Sequence, residues 1–546
     1  MSGIAARWRG PRPSRVFLIA FAFVIPGSAF SAVPALDLAP AAQQVLHKGN
    51  YSEPESLDPQ KATGVTAHNI LRDLYEGLVG EAPDGSLVPG GAVSWSVSDD
   101  GLRYVFQLRR DASWSNGDPV TAQDYVAGLR RGVDAATGSQ YAQMLMPIKG
   151  AASIVSGLAP PSALGVRALD EHTLELRLAT PAPYVLSLLT HPVCYPIHRA
   201  SLKKYGAAFT RPGKLISNGA YTLSEWVVQS HIELVRNRHY WDDAHTVVNA
   251  VSYYPTENLS AELKRYRAGE IDWTYDIPVS QIDWIREHLP GELHIDPYFG
   301  LYFYGFNLTQ PPFDNADLRK ALTLAVDRDT LLNKVRGLGE TAAYGWVPPG
   351  TPGYEAARPE WADWTQAKRD AEALRLYRKA GYSEQNPLQI ELRYNTHEDH
   401  RRIAIVLSYM WRKALGVQTR LINEEWKVFL QNRRFKKVTQ VFRSSWIGDY
   451  NDPFAFLELL KTGHGANDYG YSNPEYDQLL AEISAERDPQ QRLQLMSQAE
   501  RIVIRDLPVL PIYFYTTKRL IKPYVAGVVP NVMDHQYTKN VRILAH

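Results

Sequence analysis

Apolar and polar positions alternate with a period of two in four short stretches, 104–108 (YVFQL), 173–178 (TLELRL), 232–235 (IELV) and 390–394 (IELRY). Such alternation predicts strands with one buried face. Elsewhere the spacing is helical. Leu318, Leu322 and Ala325 fall on one face of a helix that Asp314 or Asn315 can cap. A second helix is predicted over 366–380, with Gly381 in the position past a helix end that favours glycine. Two more are predicted over 476–486 and 490–505, the latter stopped by Pro508. Thr121 and Asp124 have the spacing of a capping box that opens another. Strands and helices interleave without an internal repeat, so the class is α/β (α+β), and all-α or all-β folds are ruled out. Gly/Pro clusters at 83–85 and 348–353 are turns rather than linkers, which predicts compact lobes joined by short crossovers.

The first thirty residues follow a different pattern. Arg7, Arg9, Arg12 and Arg15 precede an apolar run at 16–25 (VFLIAFAFVI), and small residues follow, with Ala29 and Ser31 at the −3 and −1 positions of a cleavage after Ser31. The run is too short to span a bilayer, which needs about 20 residues, so 1–31 is expected to be a cleavable signal peptide of Gram-negative type. No cysteine follows it, so a lipoprotein is not expected, and the mature chain is expected to be periplasmic without stable membrane insertion.

Composition removes several chemistries. Lys+Arg number 59 against 58 Asp+Glu, a net charge of +1 that supplies no field for nucleic acid. Cys194 stands alone, so neither a disulfide nor a multi-cysteine metal site can form within the chain. Its setting, HPVCYP, has no adjacent base or cation and reads as a buried, inert thiol. No nucleophile elbow, phosphate-binding loop or dinucleotide fingerprint is present. His397-Glu-Asp-His400 supplies two metal ligands and lacks a third, so a solvated helix start is the plainer reading. The chain also carries 31 Tyr, 13 Trp and 16 Phe, rings that default to core packing.

Several segments together resemble the solute-binding proteins of ABC peptide importers, the extracellular family 5 type. They are Ser56-Leu-Asp-Pro59, Arg72-Asp-Leu-Tyr-Glu-Gly-Leu78, Trp114-Ser-Asn-Gly-Asp-Pro-Val-Thr-Ala-Gln-Asp124, Asn218-Gly-Ala-Tyr221, Ala325-Val-Asp-Arg-Asp329, Glu425-Trp-Lys427, Trp446-Ile-Gly-Asp-Tyr-Asn-Asp-Pro453 and Pro511-Ile-Tyr-Phe-Tyr515. The resemblance implies a two-lobed periplasmic binding protein type II fold with an additional inserted domain on the N-terminal lobe. Carried over, the first lobe combines 32–76, 201–299 and 517–546, the inserted domain is 77–200, and the second lobe is 300–516.

A receptor for peptides of many sequences must recognise a backbone, an ammonium and a carboxylate. The resemblance implies that Asp449 meets the ammonium and that Tyr141 and Tyr515 lie near it. It implies that Val65, Ser445 and Ile447 offer main-chain hydrogen bonds, and that Trp426 and Trp446 wall side-chain pockets. Arg433, Arg443, His400 and Arg336 would be the cationic positions. Three positions depart from the family pattern. Thr63 stands where the family has Glu, Asp276 replaces an amide, and Phe303 replaces a tyrosine. Either the ligand end near Thr63 differs from an ordinary peptide amine, or a nearby acid compensates.

The expectation is a non-enzymatic, monomeric periplasmic receptor, without cofactor or metal, that delivers oligopeptides to an inner-membrane ABC permease. A receptor specialised for murein peptide or another anionic peptide-like solute is the alternative. An exported hydrolase using carboxylates or the His397/His400 pair is the reading from a different class.

Overall fold

The computed structural model describes residues 43–546. The expected signal peptide lies outside the described residues. Among those described, no helix is long and apolar enough to cross a membrane.

Each element predicted from periodicity is present. The strands are Arg103–Leu108, Thr173–Arg177, His231–Arg236 and Gln389–Asn395. Asn315, not Asp314, caps the helix Ala316–Leu324, its side chain accepting from the Leu318 N–H at 3.2 Å. Gln366–Lys379 ends before Gly381, whose φ of +92° is left-handed backbone that suits glycine. Pro474–Ala485 and Pro489–Asp506 are capped by Asn473 and Asp488. Thr121 and Asp124 form the capping box of Ala122–Val133. Cys194 is buried, and burial alone pushes its thiol up, which leaves it inert.

These elements form three larger sheets. Val45–Gly49 lies parallel to Ala250–Tyr254, and His231–Arg236 and Tyr221–Val227 extend that sheet antiparallel. A second, antiparallel sheet has the order Ala92–Val97, Arg103–Leu108, Thr173–Arg177, Val166–Ala168. The third has six strands in the order Thr341–Ala342, Val509–Leu520, Leu293–Phe306, Val441–Ile447, Gln389–Asn395, Gln418–Glu424.

Two long strands position everything else. Leu293–Phe306 pairs with Val509–Leu520 from Leu293↔Leu520 to Gly305↔Val509, with a register break between Pro297 and Leu301. One half of this ribbon is the middle of the six-stranded sheet. The other half reaches the first sheet's surroundings, where Trp273 bridges both Lys48 and Ile521, and the Thr274 hydroxyl accepts from the Leu520 N–H at 2.9 Å. At the break Tyr515 lies against Gly300, so closely that a Cβ there would meet its ring at 2.8 Å.

Arg328 ties the ribbon to the helical layer. It is fully buried without a carboxylate partner, and its guanidinium instead donates to the carbonyls of Pro511, Ala343, Thr323 and Val326. Lysine cannot reproduce this fork. Arg328→Lys is expected to lower stability by about 3 kcal/mol, because buried carbonyls lose their donors. Urea unfolding followed by circular dichroism reads this, and an unchanged midpoint would count against the role.

Candidate functional site: a cleft with charges of opposite sign at its two ends

The site grows from one strand. Val441–Ile447 pairs along its length with Leu293–Phe306, from Phe306↔Val441 to Gly300↔Ile447. On its other edge Gln389–Asn395 reaches only Val441 and Phe442. Among the described residues Ser444–Ile447 therefore keeps one edge without a ladder partner, which leaves backbone groups open to an added strand. Period-two geometry then sends successive side chains to opposite faces.

Arg443, Ser445 and Ile447 line one cavity of about 630 Å³. Across it stand Val65 and Asn69 of the helix Gly64–Leu74, with Lys48 and the segment 273–277, and Tyr515–Arg519 also line it. Val65 and Ile447 are both exposed, apolar side chains on this cavity. Trp446 faces the other way, into a second cavity of about 650 Å³ that Asp449, Tyr450 and Glu458 share with Gln143–Pro147, Tyr184 and Leu188.

The first cavity holds cations without carboxylate partners. Arg443 lies over the Tyr302 ring at 5.0 Å and donates to the Ser445 hydroxyl at 2.9 Å, while its Nε is buried without an acceptor. Lys48 sits over the Trp273 ring at 4.3 Å, and burial pulls its ammonium down to about 8. Lys518 donates to the Thr516 carbonyl at 3.0 Å. Arg336 also lines this cavity but is paired with Glu340 at 2.7 Å and Asp399 at 3.0 Å. Asp276 lines it too, its carboxyl pushed up by burial and accepting from the Ile277 N–H at 2.7 Å.

The second cavity has the opposite sign. Asp449 is half-buried, has no hydrogen bond or ion pair among the described residues, and is pushed up to about 6 by desolvation alone. Glu458 is pushed up to about 7, chiefly by burial and further by Asp449, and accepts from the Tyr450 hydroxyl at 2.9 Å. The neighbouring Asp452 is neutralised by Arg492 at 2.6 and 3.1 Å.

The structure thus gathers Asp449 and Trp446 at one cavity, and Val65, Ser445, Ile447, Arg443, Arg336, Asp276 and Tyr515 at the other. Tyr141 packs on His191 at 4.6 Å and feels the charges of Asp449 and Glu55. Thr63 lines neither cavity; its hydroxyl donates to Glu55 at 2.5 Å, which places an acid beside the position that lost one.

Three expected positions lie elsewhere. Phe303 is in the core against Trp346, ring centroids 4.9 Å apart, because alternation turns Tyr302 rather than Phe303 toward Arg443. Arg433 is consumed by Asp468 at 2.7 and 3.1 Å. His400 sits behind Tyr302, 3.2 Å from its hydroxyl, and burial with nearby Arg443 pulls it down to about 3, so it carries no charge. His397 caps the helix Glu398–Leu415 through the Asp399 N–H, the helix-start role read from the sequence. The Trp426 side chain lies outside those described. Lys48, Lys518, Glu55 and Glu458 were not among the expected residues, and no local motif marks them.

The family model for bacterial extracellular solute-binding proteins, family 5 Middle, matches residues 86–468. The chain belongs to this family. The periplasmic oligopeptide-binding protein OppA of Escherichia coli is 42% identical over 510 residues, covering 93% of this chain and 94% of that one. Among solved structures, the family 5 member MppA, a periplasmic murein tripeptide-binding protein of Escherichia coli, matches in its unliganded open form with a TM-score of 0.85, 39% identity, and coverage of 94% and 99%. Haemophilus influenzae OppA in complex with RPPGFSPFR matches at 0.76 with 37% identity, covering 93% and 100%.

An unpartnered carboxylate weakens the protein that holds it. Asp449 is raised from an ordinary value near 4 to about 6, so it penalises folding only where it is ionised. The penalty is absent below about pH 4 and complete above about pH 6, where it amounts to about 3 kcal/mol. Asp449→Asn is expected to stabilise the ligand-free protein by about that much at pH 7.5 and to change little at pH 4. Urea unfolding at both values checks it, and destabilisation at pH 7.5 would be the contrary result.

Proposed function

We propose that this chain is a periplasmic receptor that captures oligopeptides in the cleft and delivers them to an inner-membrane ABC permease, without chemical turnover. The observation that carries the reading is Asp449. A buried carboxylate without a cation is costly to keep, and an α-ammonium is the partner that removes the cost. Around it, the free edge of Ser444–Ile447 offers hydrogen bonds to any peptide backbone, which makes binding independent of side chains. Arg443, Lys48 and Lys518 then receive the carboxylate end.

In this reading residues 1–31 are a signal peptide and the mature protein acts as a monomer. The segments 32–76, 201–299 and 517–546 form one lobe, 77–200 an inserted domain, and 300–516 the second lobe. Closure brings Val65 and Tyr141 toward Ser445, Ile447 and Asp449, and presents the permease with a surface that the open form lacks. Several unpaired cations in the first cavity also favour a second reading, a peptide with more than one carboxylate, of which a murein-type peptide is an example.

Binding requires ionised Asp449, so affinity for an alanine tripeptide is expected to fall about tenfold per pH unit below pH 6 and to level off above it. N-acetylation of that tripeptide removes the ammonium and is expected to abolish binding. Calorimetric titration of ligand-stripped protein measures both, and equal affinity for the acetylated peptide would reject the anchor.

A further inference from the structure

The α-ammonium accounts for one of the two carboxylates in the second cavity. Glu458 remains. It follows the short helix Phe454–Leu457, and its hydrogen-bond partner among the described residues is the Tyr450 hydroxyl. Tyr184 stacks on Tyr450 with centroids 5.0 Å apart and planes at 10°, which holds that hydroxyl and so orients the carboxylate.

Among the described residues no cation forms an ion pair with it, although the exposed Lys461 acts through space to hold its carboxyl down. Arg492 is committed to Asp452, Lys461 is exposed to solvent, and burial keeps His464 below its ordinary value and neutral. Asp449 adds a second negative charge, and Tyr184 is pushed up by burial and by Glu458. Met144, Met146, Leu188 and Leu459 give the same cavity apolar wall, beside the polar Gln143 and Thr180. The buried Nε1 of Trp446 has no acceptor. A cavity that offers methionine and leucine surface beside a carboxylate without an ion-pair partner among the described residues fits a long side chain with methylenes along its length and a cation at its tip.

We infer that Glu458 selects ligands whose first residue is lysine or arginine: Asp449 takes the α-ammonium, Glu458 takes the side-chain cation, and the stem lies along Met144, Met146 and Leu459. The inference rests on the proposed peptide reading, because Asp449 must first fix the ligand's amino end. Flexible methionines suit a site that accepts either basic side chain. The side-chain cation ionises a carboxylate that titrates near 7 in its absence, so a basic first residue releases an additional proton on binding.

Calorimetry on the wild-type protein with Lys-Ala-Ala and norleucine-Ala-Ala isolates the charge, since the two first residues have the same carbon stem. At pH 8 the lysine peptide is expected to bind about tenfold more tightly, a charge-assisted hydrogen bond's worth. The advantage is expected to shrink as pH falls through 7. In Glu458→Gln, which retains an acceptor for Tyr450, the ratio of the two affinities is expected to fall close to one. Equal binding of the two peptides by the wild type, or a tenfold preference retained by the variant, overturns the inference. If both peptides bind and neither binds when N-acetylated, the amine anchor stands whichever way the ratio falls. If neither free peptide binds, the anchor fails and this inference fails with it.

Discussion

The ribbon of Leu293–Phe306 and Val509–Leu520 is a constraint that the cleft inherits from both its ends. Its Leu301–Gly305 half lies inside the six-stranded sheet, and its Leu293–Pro297 half runs beside Trp273 and Thr274 at the first sheet. The ladder is interrupted between these halves, at Pro297–Leu301, and Tyr515 and Thr516 open onto the first cavity at that point. A register break concentrates bending where hydrogen bonds are missing while leaving the flanking pairs intact. The first cavity therefore opens where the ribbon's pairing is broken between Pro297 and Leu301, a second register shift lying between Tyr302 and Phe303. Arg328, bonded to the Pro511 carbonyl, ties one side of that break to the helices behind it.

Charges divide this molecule into two classes. Several buried charges of the framework are neutralised: Arg433 by Asp468, Asp452 by Arg492, and Glu175 by Arg103, Arg167 and Arg177. Arg328 is neutralised by carbonyl dipoles instead. In the cavities, Asp449, Lys48 and Arg443 have no opposite charge within ion-pair reach among the described residues. The contrast matters because an uncompensated buried charge is a standing cost that selection removes unless a ligand uses it. The residues that lack partners are thus the informative ones, and the four residues of Arg433/Asp468 and Arg492/Asp452 belong to the framework despite their proximity.

How far the sequence was legible follows from the range of the signals involved. Caps, strand alternation and helix spacing are local, so the bounds of Arg103–Leu108, Ala316–Leu324 and Pro489–Asp506 could be read within a residue or two. Some residues to which the resemblance pointed line a common cavity, Asp449 with Trp446 and Arg443 with Ser445. It failed where a neighbour decides the role. Arg433 looks like a free cation until Asp468 arrives from 35 residues away, and Phe303 looks like a cleft residue until strand alternation turns it inward. Lys48 was invisible because its partners, Trp273 and Tyr253, come from a distant part of the chain. Glu55 reaches the site through a side-chain bond to Thr63 that no spacing rule encodes.

The same strand that separates the two cavities also sets a length scale. Arg443 and Asp449 are six residues apart, so at about 3.3 Å per residue they are at most about 20 Å apart along the chain. An extended peptide covers that span with about six residues. The two ends of the cleft are not equally strict, however. The amino end has a single unpartnered acid beside the free strand edge, and shifting a ligand by one residue moves every side chain to the opposite face. The first cavity, the carboxylate end in the proposed binding mode, has cations on three different supports: Arg443 on the strand, Lys518 on the ribbon and Lys48 across the cavity. A peptide held as proposed is therefore registered from its first residue, and differences in length are absorbed at its last. Chemical selectivity should then be concentrated at the amino end, where Asp449, Trp446 and Glu458 share one cavity.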